Sequence, residues 1–344
     1  MLITSYKITS PEVIEETIEC LDSETNVLVK LDTLAICKAD IRYFLGAREK
    51  NVLDHKYPLT PIHEAVGIVV KDASNEYKKG DKVILVPNSI NESKCASCLN
   101  KRCQREDLGN NYCPYAAFRS STIDGFLKPF YSASKDILVK YNSSIPSDVA
   151  VWSELLSVSY AASRRVKIGK GQRIALFGDG IMGYMVYLIL YHYYHADVTV
   201  FGVDENKMLM FKHAKTCKYE EYSGDKFDTL FECVGGRYSG DAINNMIALS
   251  LLGADLVLMC VSEDKIPINT RVILEKGLSI KGVTRSNKQD FEVVAKLLES
   301  KKLQEDIKPL ILSSNVIHQV SDIYNAFKLD INNKTIIGKN LLKF

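Results

Sequence analysis

The sequence lacks any long apolar run and any strong net charge. Its most apolar window, IMGYMVYLILYHYY, is short and is interrupted by tyrosines and a histidine, whereas a membrane-spanning helix needs about 20 apolar residues. The opening residues, MLITSYKITSPEVIEETIE, have neither the basic nor the apolar segment of a secretory signal. Lysine and arginine total 44 against 42 acidic residues, a balance that gives no field for holding nucleic acid or anionic membrane. We therefore expect a cytoplasmic protein that binds neither.

Internal repeats and low-complexity stretches are also missing, so the 344 residues are expected to form two ordinary domains. Seven of the nine prolines precede residue 150, among short apolar runs separated by turn residues, a pattern typical of an irregular, mostly β region. After residue 150, strand-like runs such as RIALF alternate with helical segments, which predicts βαβ units and a parallel sheet. The predicted domains are residues 1–150 and 151–287, with residues 288–344 returning to the first.

A glycine-rich turn follows the first strand of the second domain. Gly178, Gly180 and Gly183 have the spacing G-x-G-x-x-G, directly after RIALF and at the start of a helical pattern. The first glycine permits the tight turn, the second lets the backbone approach a pyrophosphate, and the third allows close packing of helix against strand. A glycine-rich turn without a nucleotide is the alternative, but the position between strand and helix favours dinucleotide binding.

The next strand ends in VTVFGVDENK, where the adenosine ribose of a dinucleotide is expected. Asp204 at that place would accept a hydrogen bond from the 2′-hydroxyl of NAD. Gly202 at that place, leaving room for a 2′-phosphate near Lys207, would suit NADP instead. Hydrophobic periodicity leaves both registers open.

Three residues of the types that bind catalytic zinc are far apart in the sequence. Cys37 lies in AICKADIRYFLG, His63 in TPIHEAVGIVV and Glu154 in WSELLSVSYAA. Thiolate, neutral imidazole and carboxylate are zinc ligands, and a catalytic site keeps one further position for water or substrate. Each residue taken alone is as readily structural, so the spacing by itself leaves the site open.

Taken in order, these motifs resemble the zinc-dependent medium-chain dehydrogenase/reductases. The matching features span the chain: Cys37 with Asp40 and Gly46, His63-Glu64 with Gly67, GDKV at Gly80 to Val83, DGF at Asp124 to Phe126, Glu154, and the Gly178 fingerprint. The resemblance implies an α/β fold, with a GroES-like, mainly β catalytic domain and a Rossmann doubly wound parallel sheet. It also implies a sorbitol-dehydrogenase-like zinc held by Cys37, His63 and Glu154, with Glu64 as a second carboxylate at the metal. Ala39 stands where many relatives carry a hydroxyl that relays the proton, so the resemblance supplies no proton path here.

Four of the nine cysteines cluster in the spacing C-x2-C-x4-C-x9-C: Cys95, Cys98, Cys103 and Cys113. In a reducing compartment clustered thiols favour metal ligation over disulfides. We expect a structural zinc in a lobe at residues 92–115, closed to substrate because four thiolates complete its coordination. The middle spacing is wider than in the structural lobe of the family.

Further stretches resemble the ribulose-5-phosphate reductases that make ribitol 5-phosphate for CDP-ribitol: ADIRYFLGARE, FRSSTIDGF, FECVGGRYSGDAINNMI and VSEDKIPINTRVILEKGLSIKGVTRS. Because those reductases also carry glycine at the place of Gly202, the resemblance favours NADPH, with NADH possible. It implies a phosphorylated ketose or polyol as substrate, a cytidylyltransferase as the enzyme that uses the product, teichoic acid or capsule biosynthesis as the setting, and a homodimer or homotetramer.

Arginines near these motifs are candidates for holding a substrate phosphate. Arg42 and Arg48 follow Cys37, and Arg119 in FRSSTIDGF precedes a strand that borders the substrate pocket in this family. A guanidinium group binds phosphate oxygens bidentately, and Tyr43 adds a further donor. Each arginine alone is as readily a solvated surface residue.

Three hypotheses from different classes compete. The first is a zinc-dependent ribulose-5-phosphate reductase that uses NADPH, and the second is another polyol or polyol-phosphate dehydrogenase, sorbitol-like, that uses NAD. The third is a non-catalytic nucleotide-binding protein built on the same fold, since fold does not fix function. The presence of Cys37, His63 and Glu154 together argues against the third.

Overall fold

The computed structural model describes residues 1–22, 24, 26–90, 112–263 and 265–344. The chain divides into two compact units. The first contains Met1–Glu154, Asn287–Lys334 and Gly338–Phe344, and the second contains Leu155–Ser286 and Thr335–Ile337. Glu154, which the sequence places at the start of the second domain, therefore belongs to the same unit as the other predicted zinc ligands.

The strands, in chain order, are β1 (Leu2–Ser10), β2 (Val13–Cys20), β3 (Val27–Ala35), β4 (Glu64–Asp72), β5 (Lys82–Leu85), β6 (Asn88–Ile90), β7 (Ala116–Phe118), β8 (Phe130–Ala133), β9 (Leu138–Lys140), β10 (Ile174–Phe177), β11 (Val198–Phe201), β12 (Lys215–Cys217), β13 (Phe227–Glu232), β14 (Ser250–Leu258), β15 (Ser279–Gly282), β16 (Ile311–Val316) and β17 (Lys339–Lys343).

The α-helices are α1 (Lys38–Phe44), α2 (Lys50–Asp54), α3 (Ser147–Ala150), α4 (Ser153–Ser163), α5 (Ile181–His192), α6 (Glu205–Met208), α7 (Ser239–Leu249), α8 (Thr270–Lys276), α9 (Lys288–Leu297), α10 (Lys301–Ile307) and α11 (Val320–Asn332). Short 3₁₀ turns cover Lys135–Ile137, Tyr219–Glu221, Gly236–Tyr238 and Lys308–Leu310. In the described parts of the chain, each helix is too short or too polar to cross a bilayer.

A seven-stranded sheet is the centre of the first unit. Its order is β16-β17-β3-β4-β5-β9, and β8 pairs with the first half of β3. The pairs are antiparallel except for β16 with β17. Along β3 the side chains of Val29 and Leu31 are fully buried while Lys30 between them is exposed, as expected for a strand with one face on the core. Two two-stranded sheets, β1 with β2 and β6 with β7, are separate from this sheet.

The second unit contains a six-stranded parallel sheet in the order β12-β11-β10-β13-β14-β15. The first strand in sequence, β10, is central, and the order reverses beside it, which is the arrangement of a doubly wound dinucleotide-binding fold. All four residues of β10 are buried, as is typical of a central parallel strand. The core includes Phe177, Phe201, Leu230 and Met246. The predicted fold class, α/β with a mainly β domain, is confirmed.

Candidate active site

The ends of three neighbouring strands bring the predicted zinc ligands together. Cys37 follows β3 and is the N-cap of α1, and His63 immediately precedes β4. Ala35 at the end of β3 is paired with Glu64 on one side and with Leu341 of β17 on the other. The segments that carry Cys37 and His63 therefore lie at the same end of two neighbouring strands.

The ligand atoms form two groups that share His63, together called the cluster below. Those of Cys37, Asp40 and His63 lie within 4.8 Å of one another, and so do those of His63, Glu64 and Glu154. His63, Glu64 and Glu154 are buried, and Cys37 is partly exposed. Glu154 enters the cluster from the first turn of α4. Residues separated by more than a hundred positions in sequence are thus brought to one point.

Asp40 holds this arrangement in place and is itself fully buried. Its Oδ2 accepts a hydrogen bond from the backbone N–H of Cys37 at 3.0 Å, and its Oδ1 accepts one from Ile62 N–H at 3.0 Å. Oδ1 also accepts the hydroxyl of Ser120 and lies 3.5 Å from Nδ1 of His63. Because Nδ1 faces Asp40, Nε2 is the nitrogen left for a metal. The sequence contains Asp40 as part of a motif, but gives no sign that it positions two ligands.

Burial and charge act against each other in this cluster. Burial alone would lower the pKa of His63, but the charges of Asp40 and Cys37 and hydrogen bonds to both outweigh it and raise that pKa well above its usual value. Burial would raise the pKa of Asp40, but His63 and the donated hydrogen bonds bring it below its usual value. Burial, followed by the nearby charge of Glu64, raises the pKa of Glu154 to about 7.

A buried lysine completes the cluster and was not predicted. Lys339, the first residue of β17, donates a hydrogen bond to Oε1 of Glu64, and both side chains are almost fully buried. Burial would lower the pKa of Lys339, but the charge of Glu64 outweighs it and holds that pKa above its usual value. The ammonium group also lies 5.8 Å from the ring centre of Trp152. A lysine 275 positions from its partner leaves no local sequence signal.

The cluster fits a zinc ion. Its donors are a thiol, an imidazole and carboxylates, the set that zinc binds. Oε2 of Glu64 is buried and accepts no hydrogen bond within the described structure, although a buried carboxylate oxygen is costly without a partner. A cation at the centre of the cluster would provide that partner. Cys37, His63, Glu64 and Glu154 are the residues that could hold it.

The glycine-rich turn of the second unit has the geometry that its spacing predicts. Gly178 has a φ of 123°, and a Cβ there would lie 2.6 Å from the carbonyl oxygen of Cys233. A Cβ on Gly183 would overlap the carbonyl oxygen of Gly178. Gly180 is the N-cap of α5, and a Cβ there would meet no protein atom within 4 Å. Gly178 and Gly183 therefore leave space for neighbouring backbone carbonyls. Gly180 leaves open space at a helix N-terminus, the kind of place where phosphates bind.

Comparisons with known proteins show the family of this chain. Residues 23–147 match the model of the Alcohol dehydrogenase GroES-like domain. The chain is 34% identical to a ribulose-5-phosphate reductase of Streptococcus pneumoniae, with 96% of this chain and 95% of that protein covered. It belongs to the zinc-dependent medium-chain dehydrogenase/reductase family. This dehydrogenase is also 33% identical to ribulose-5-phosphate reductase 1 of Staphylococcus aureus, over 100% and 99% of the two chains.

The crystal structure of S. aureus TarJ in complex with NADPH has a TM-score of 0.85 against this dehydrogenase. The two chains are 31% identical, and 100% of this chain and 99% of the other are covered. The predicted family and the assignment as an oxidoreductase are confirmed.

The residues after β11 make close contacts with the glycine-rich turn and with α6. A Cβ on Gly202 would lie 2.7 Å from Cγ of Met208 and 2.9 Å from Asp179. Oδ2 of Asp179 accepts the backbone N–H groups of Val203 and Asp204, each at 2.7 Å. A side chain at position 202 would therefore collide with Asp179 and Met208, and the place of Gly202 beside a 2′-phosphate stays a prediction.

Asp204 and Lys207 are both engaged within the protein. Asp204 is the N-cap of α6, where its Oδ1 accepts the N–H groups of Asn206 at 3.0 Å and Lys207 at 3.2 Å. Nζ of Lys207 lies 3.7 Å from Oδ2 of Asp204. Asp204 and Lys207, the two residues proposed to distinguish NAD from NADP, thus form an ion pair in the dehydrogenase. Each reduces the net charge that the other presents.

The predicted substrate residues fall into two groups. Oη of Tyr43 lies 3.3 Å from Oγ of Ser121, and the guanidinium group of Arg48 lies 5.3 Å from the ring centre of Tyr43. Arg42 lies in the last turn of α1, the helix that also contains Tyr43. Arg119 is buried, and its guanidinium group donates to Oη of Tyr131 and to the carbonyl of Pro87. A shared role of the three arginines in holding a substrate phosphate stays a prediction.

Most of the predicted four-cysteine lobe of the dehydrogenase lies outside the described residues, including Cys95, Cys98 and Cys103. Cys113 is described and buried, and its Sγ accepts a hydrogen bond from Tyr115 N–H at 3.4 Å. A structural zinc in this lobe stays a prediction.

Proposed function

We propose that this dehydrogenase reduces D-ribulose 5-phosphate to D-ribitol 5-phosphate with NADPH and a catalytic zinc. The observation that carries the proposal is the pair of ligand groups that share His63, Cys37 with Asp40 on one side and Glu64 with Glu154 on the other, in a chain similar over its full length to ribulose-5-phosphate reductases. When bound, zinc supplies the Lewis acidity that polarises a ketone, and the nicotinamide supplies the hydride.

The side chains around the cluster have distinct roles in this proposal. Asp40 orients His63 so that Nε2 faces the metal, and it fixes the backbone of Cys37. Lys339 places a buried positive charge beside the second carboxylate, that of Glu64. Glu154 is the third ligand, directly or through water. The burial of the cluster excludes bulk water from the reacting groups.

The dinucleotide is placed by the second unit. Gly178, Gly180 and Gly183 shape the turn that receives the pyrophosphate. NADPH is supported by its presence in the TarJ structure, with Gly202 and Lys207 as the nearby residues. One observation favours NADH instead, as in a polyol dehydrogenase: Lys207 is already paired with Asp204.

The proposed reaction also implies a following enzyme, an end product and a cellular compartment. Ribitol 5-phosphate is a substrate for activation by a cytidylyltransferase, and CDP-ribitol supplies cell-surface polymers such as teichoic acid or capsule. We place the enzyme in the cytoplasm, where nine cysteines stay reduced. We also propose a homodimer or homotetramer, which light scattering on the purified protein checks.

The proposal is tested by following NADPH consumption by zinc-loaded enzyme. Ribulose 5-phosphate should react much faster than ribulose, because the phosphate adds charge-assisted contacts worth about tenfold or more. Xylulose 5-phosphate and fructose 6-phosphate test the stereochemistry and length of the substrate. Cys37→Ser is the control that should lose turnover with every sugar.

Parallel assays with NADH and with sorbitol and NAD test the alternative. Equal rates with ribulose and ribulose 5-phosphate, or turnover of sorbitol alone, would favour the polyol dehydrogenase. Binding of the dinucleotide without turnover of any sugar would favour a non-catalytic protein.

A further inference from the structure

A polar cavity of about 600 Å³ lies in the first unit at the N-terminus of α9. It is lined by side chains from β6, from the turn after β7, from the segment after β8 and from the start of α9. Those used here are Ser89, Arg119, Ser134, Asp136, Lys288 and Gln289. No residue of the zinc cluster lines this cavity.

Arg119 is the fixed cation of this cavity, with only 7% of its surface exposed. Its Nε donates to Oη of Tyr131 at 2.8 Å, and its Nη1 donates to the carbonyl of Pro87 at 3.1 Å and to Oγ of Ser89 at 3.3 Å. In the part of the chain that the structure describes, Nη2 donates no hydrogen bond. A rigid buried guanidinium with one nitrogen unused in the wall of a cavity is suited to an anion.

The start of α9 adds backbone donors. Asn287 and Asp290 form a capping box, in which Oδ1 of Asn287 accepts Asp290 N–H at 3.0 Å and Oδ2 of Asp290 accepts Asn287 N–H at 2.8 Å. The N–H groups of Lys288 and Gln289 have no acceptor inside the helix. Nζ of Lys288 donates to the carbonyl of Lys135 at 3.0 Å, which holds this second cation beside the cavity.

The charges around the cavity favour an anion. Among the described residues of the lining, Arg119 and Lys288 face one carboxylate, that of Asp136, whose Oδ2 accepts the hydroxyl of Ser134 at 3.2 Å. The positive end of the α9 dipole adds to the two cations. We infer that this cavity binds a phosphate group through Nη2 of Arg119 and the N–H groups of Lys288 and Gln289.

The phosphate belongs either to the substrate or to a second phosphorylated molecule. The segment that carries Arg119 also touches the zinc cluster, because the ring of Phe118 lies 5.2 Å from that of His63 and Ser120 donates to Asp40. Assigning the phosphate to the substrate rests on the proposed function, whereas phosphate binding in the cavity does not.

The test is calorimetric titration of inorganic phosphate into enzyme saturated with NADPH, so that the pyrophosphate site is filled. Gln289→Glu places a carboxylate in the cavity at the second position of α9, where a negative charge favours the helix itself. It should weaken phosphate binding by about tenfold without lowering thermal stability. Ser321→Glu adds the same charge at the second position of α11 and should bind phosphate like the wild type.

A second variant examines the guanidinium group. Arg119→Gln should also weaken phosphate binding, and its melting temperature shows how much of the effect is structural. Equal phosphate binding by Gln289→Glu and Ser321→Glu would overturn the inference and leave Arg119 a purely structural residue. Competitive inhibition by phosphate against ribulose 5-phosphate would assign the cavity to the substrate, and non-competitive inhibition to a separate phosphorylated ligand. The calorimetric titrations need no turnover, so phosphate binding stands even if the proposed reaction fails.

Discussion

The zinc cluster of the first unit is formed by side chains, whereas the glycine-rich turn of the second unit is formed by backbone. The cluster consists of ionisable side chains that are almost fully buried: Asp40, His63, Glu64, Glu154 and Lys339. The turn consists of backbone, with glycines where a Cβ would meet a carbonyl group. The cluster depends on a balance of positive and negative charges. The turn depends on glycine, because a Cβ atom would collide with the neighbouring backbone. Substitutions in the two regions should therefore fail in different ways.

The largest effect is expected from His63→Ala in the cluster. Removing a ligand should release the zinc and with it several kcal/mol of transition-state stabilisation, or about a thousandfold in kcat. Zinc content by mass spectrometry and turnover are measured on the same preparation. His55→Ala, at an exposed histidine, should change neither, and a His63→Ala protein with full zinc and full activity would show that the ligand set is wrong.

Lys339→Met tests the balance of charge directly. It leaves Glu64 buried without its counter-ion, which should cost about 3–5 kcal/mol of unfolding free energy in zinc-free protein. Urea denaturation measures this loss. Glu64→Gln in the same chain should recover most of it, because no charge is then left unpaired. If the double variant is no more stable than Lys339→Met, the lysine acts through packing and not through charge.

Gly183→Ala and Gly180→Ala separate two kinds of space in the turn. The first methyl group would overlap the carbonyl of Gly178, so it should cost about 1–3 kcal/mol of stability and weaken dinucleotide binding as well. The second methyl group meets only open space and should weaken dinucleotide binding while the melting temperature stays unchanged. Fluorescence titration with NADPH and thermal melting distinguish them, and equal melting temperatures would contradict the assigned roles.

The smallest effect concerns pH. Burial raises the pKa of Asp330 to about 6, although Asn340 donates two hydrogen bonds to its Oδ1. Since the folded protein holds this proton more tightly than the unfolded chain, stability is present at low pH and is lost as the pH rises through about 6. Asp330→Asn should therefore stabilise the protein by about 1–2 kcal/mol near pH 8 and by little near pH 4. A gain that does not vary with pH would contradict the assignment to ionisation.

The two regions also differ in how much the sequence predicts. The spacing of Gly178, Gly180 and Gly183 is local, so the turn could be predicted from a few residues. The zinc ligands could be proposed only through resemblance to a family, since their meeting depends on strand pairing. Lys339 could not be predicted, because its place beside Glu64 follows from the register of β17 on β3.

The contacts that individual residues make were harder to predict than the motifs in which they occur. A Cβ on Gly202 would meet Asp179, a side chain from the glycine-rich turn. Arg119 was proposed to hold a substrate phosphate, and its guanidinium group also donates to Pro87 and Tyr131. Both outcomes are decided by tertiary contacts that no short sequence pattern contains.

The position of β17 has a consequence for how the enzyme is made. Glu64 meets its counter-ion only after residue 339 has left the ribosome, 275 residues later, which at about 10 residues per second is on the order of half a minute. During that interval the nascent first unit carries a thiol, an imidazole and a carboxylate but lacks the strand that neutralises one of them. Metal loading before release would therefore meet a more negative and more open cluster than the finished enzyme presents, so the order of translation and metal uptake is itself a variable in producing active protein.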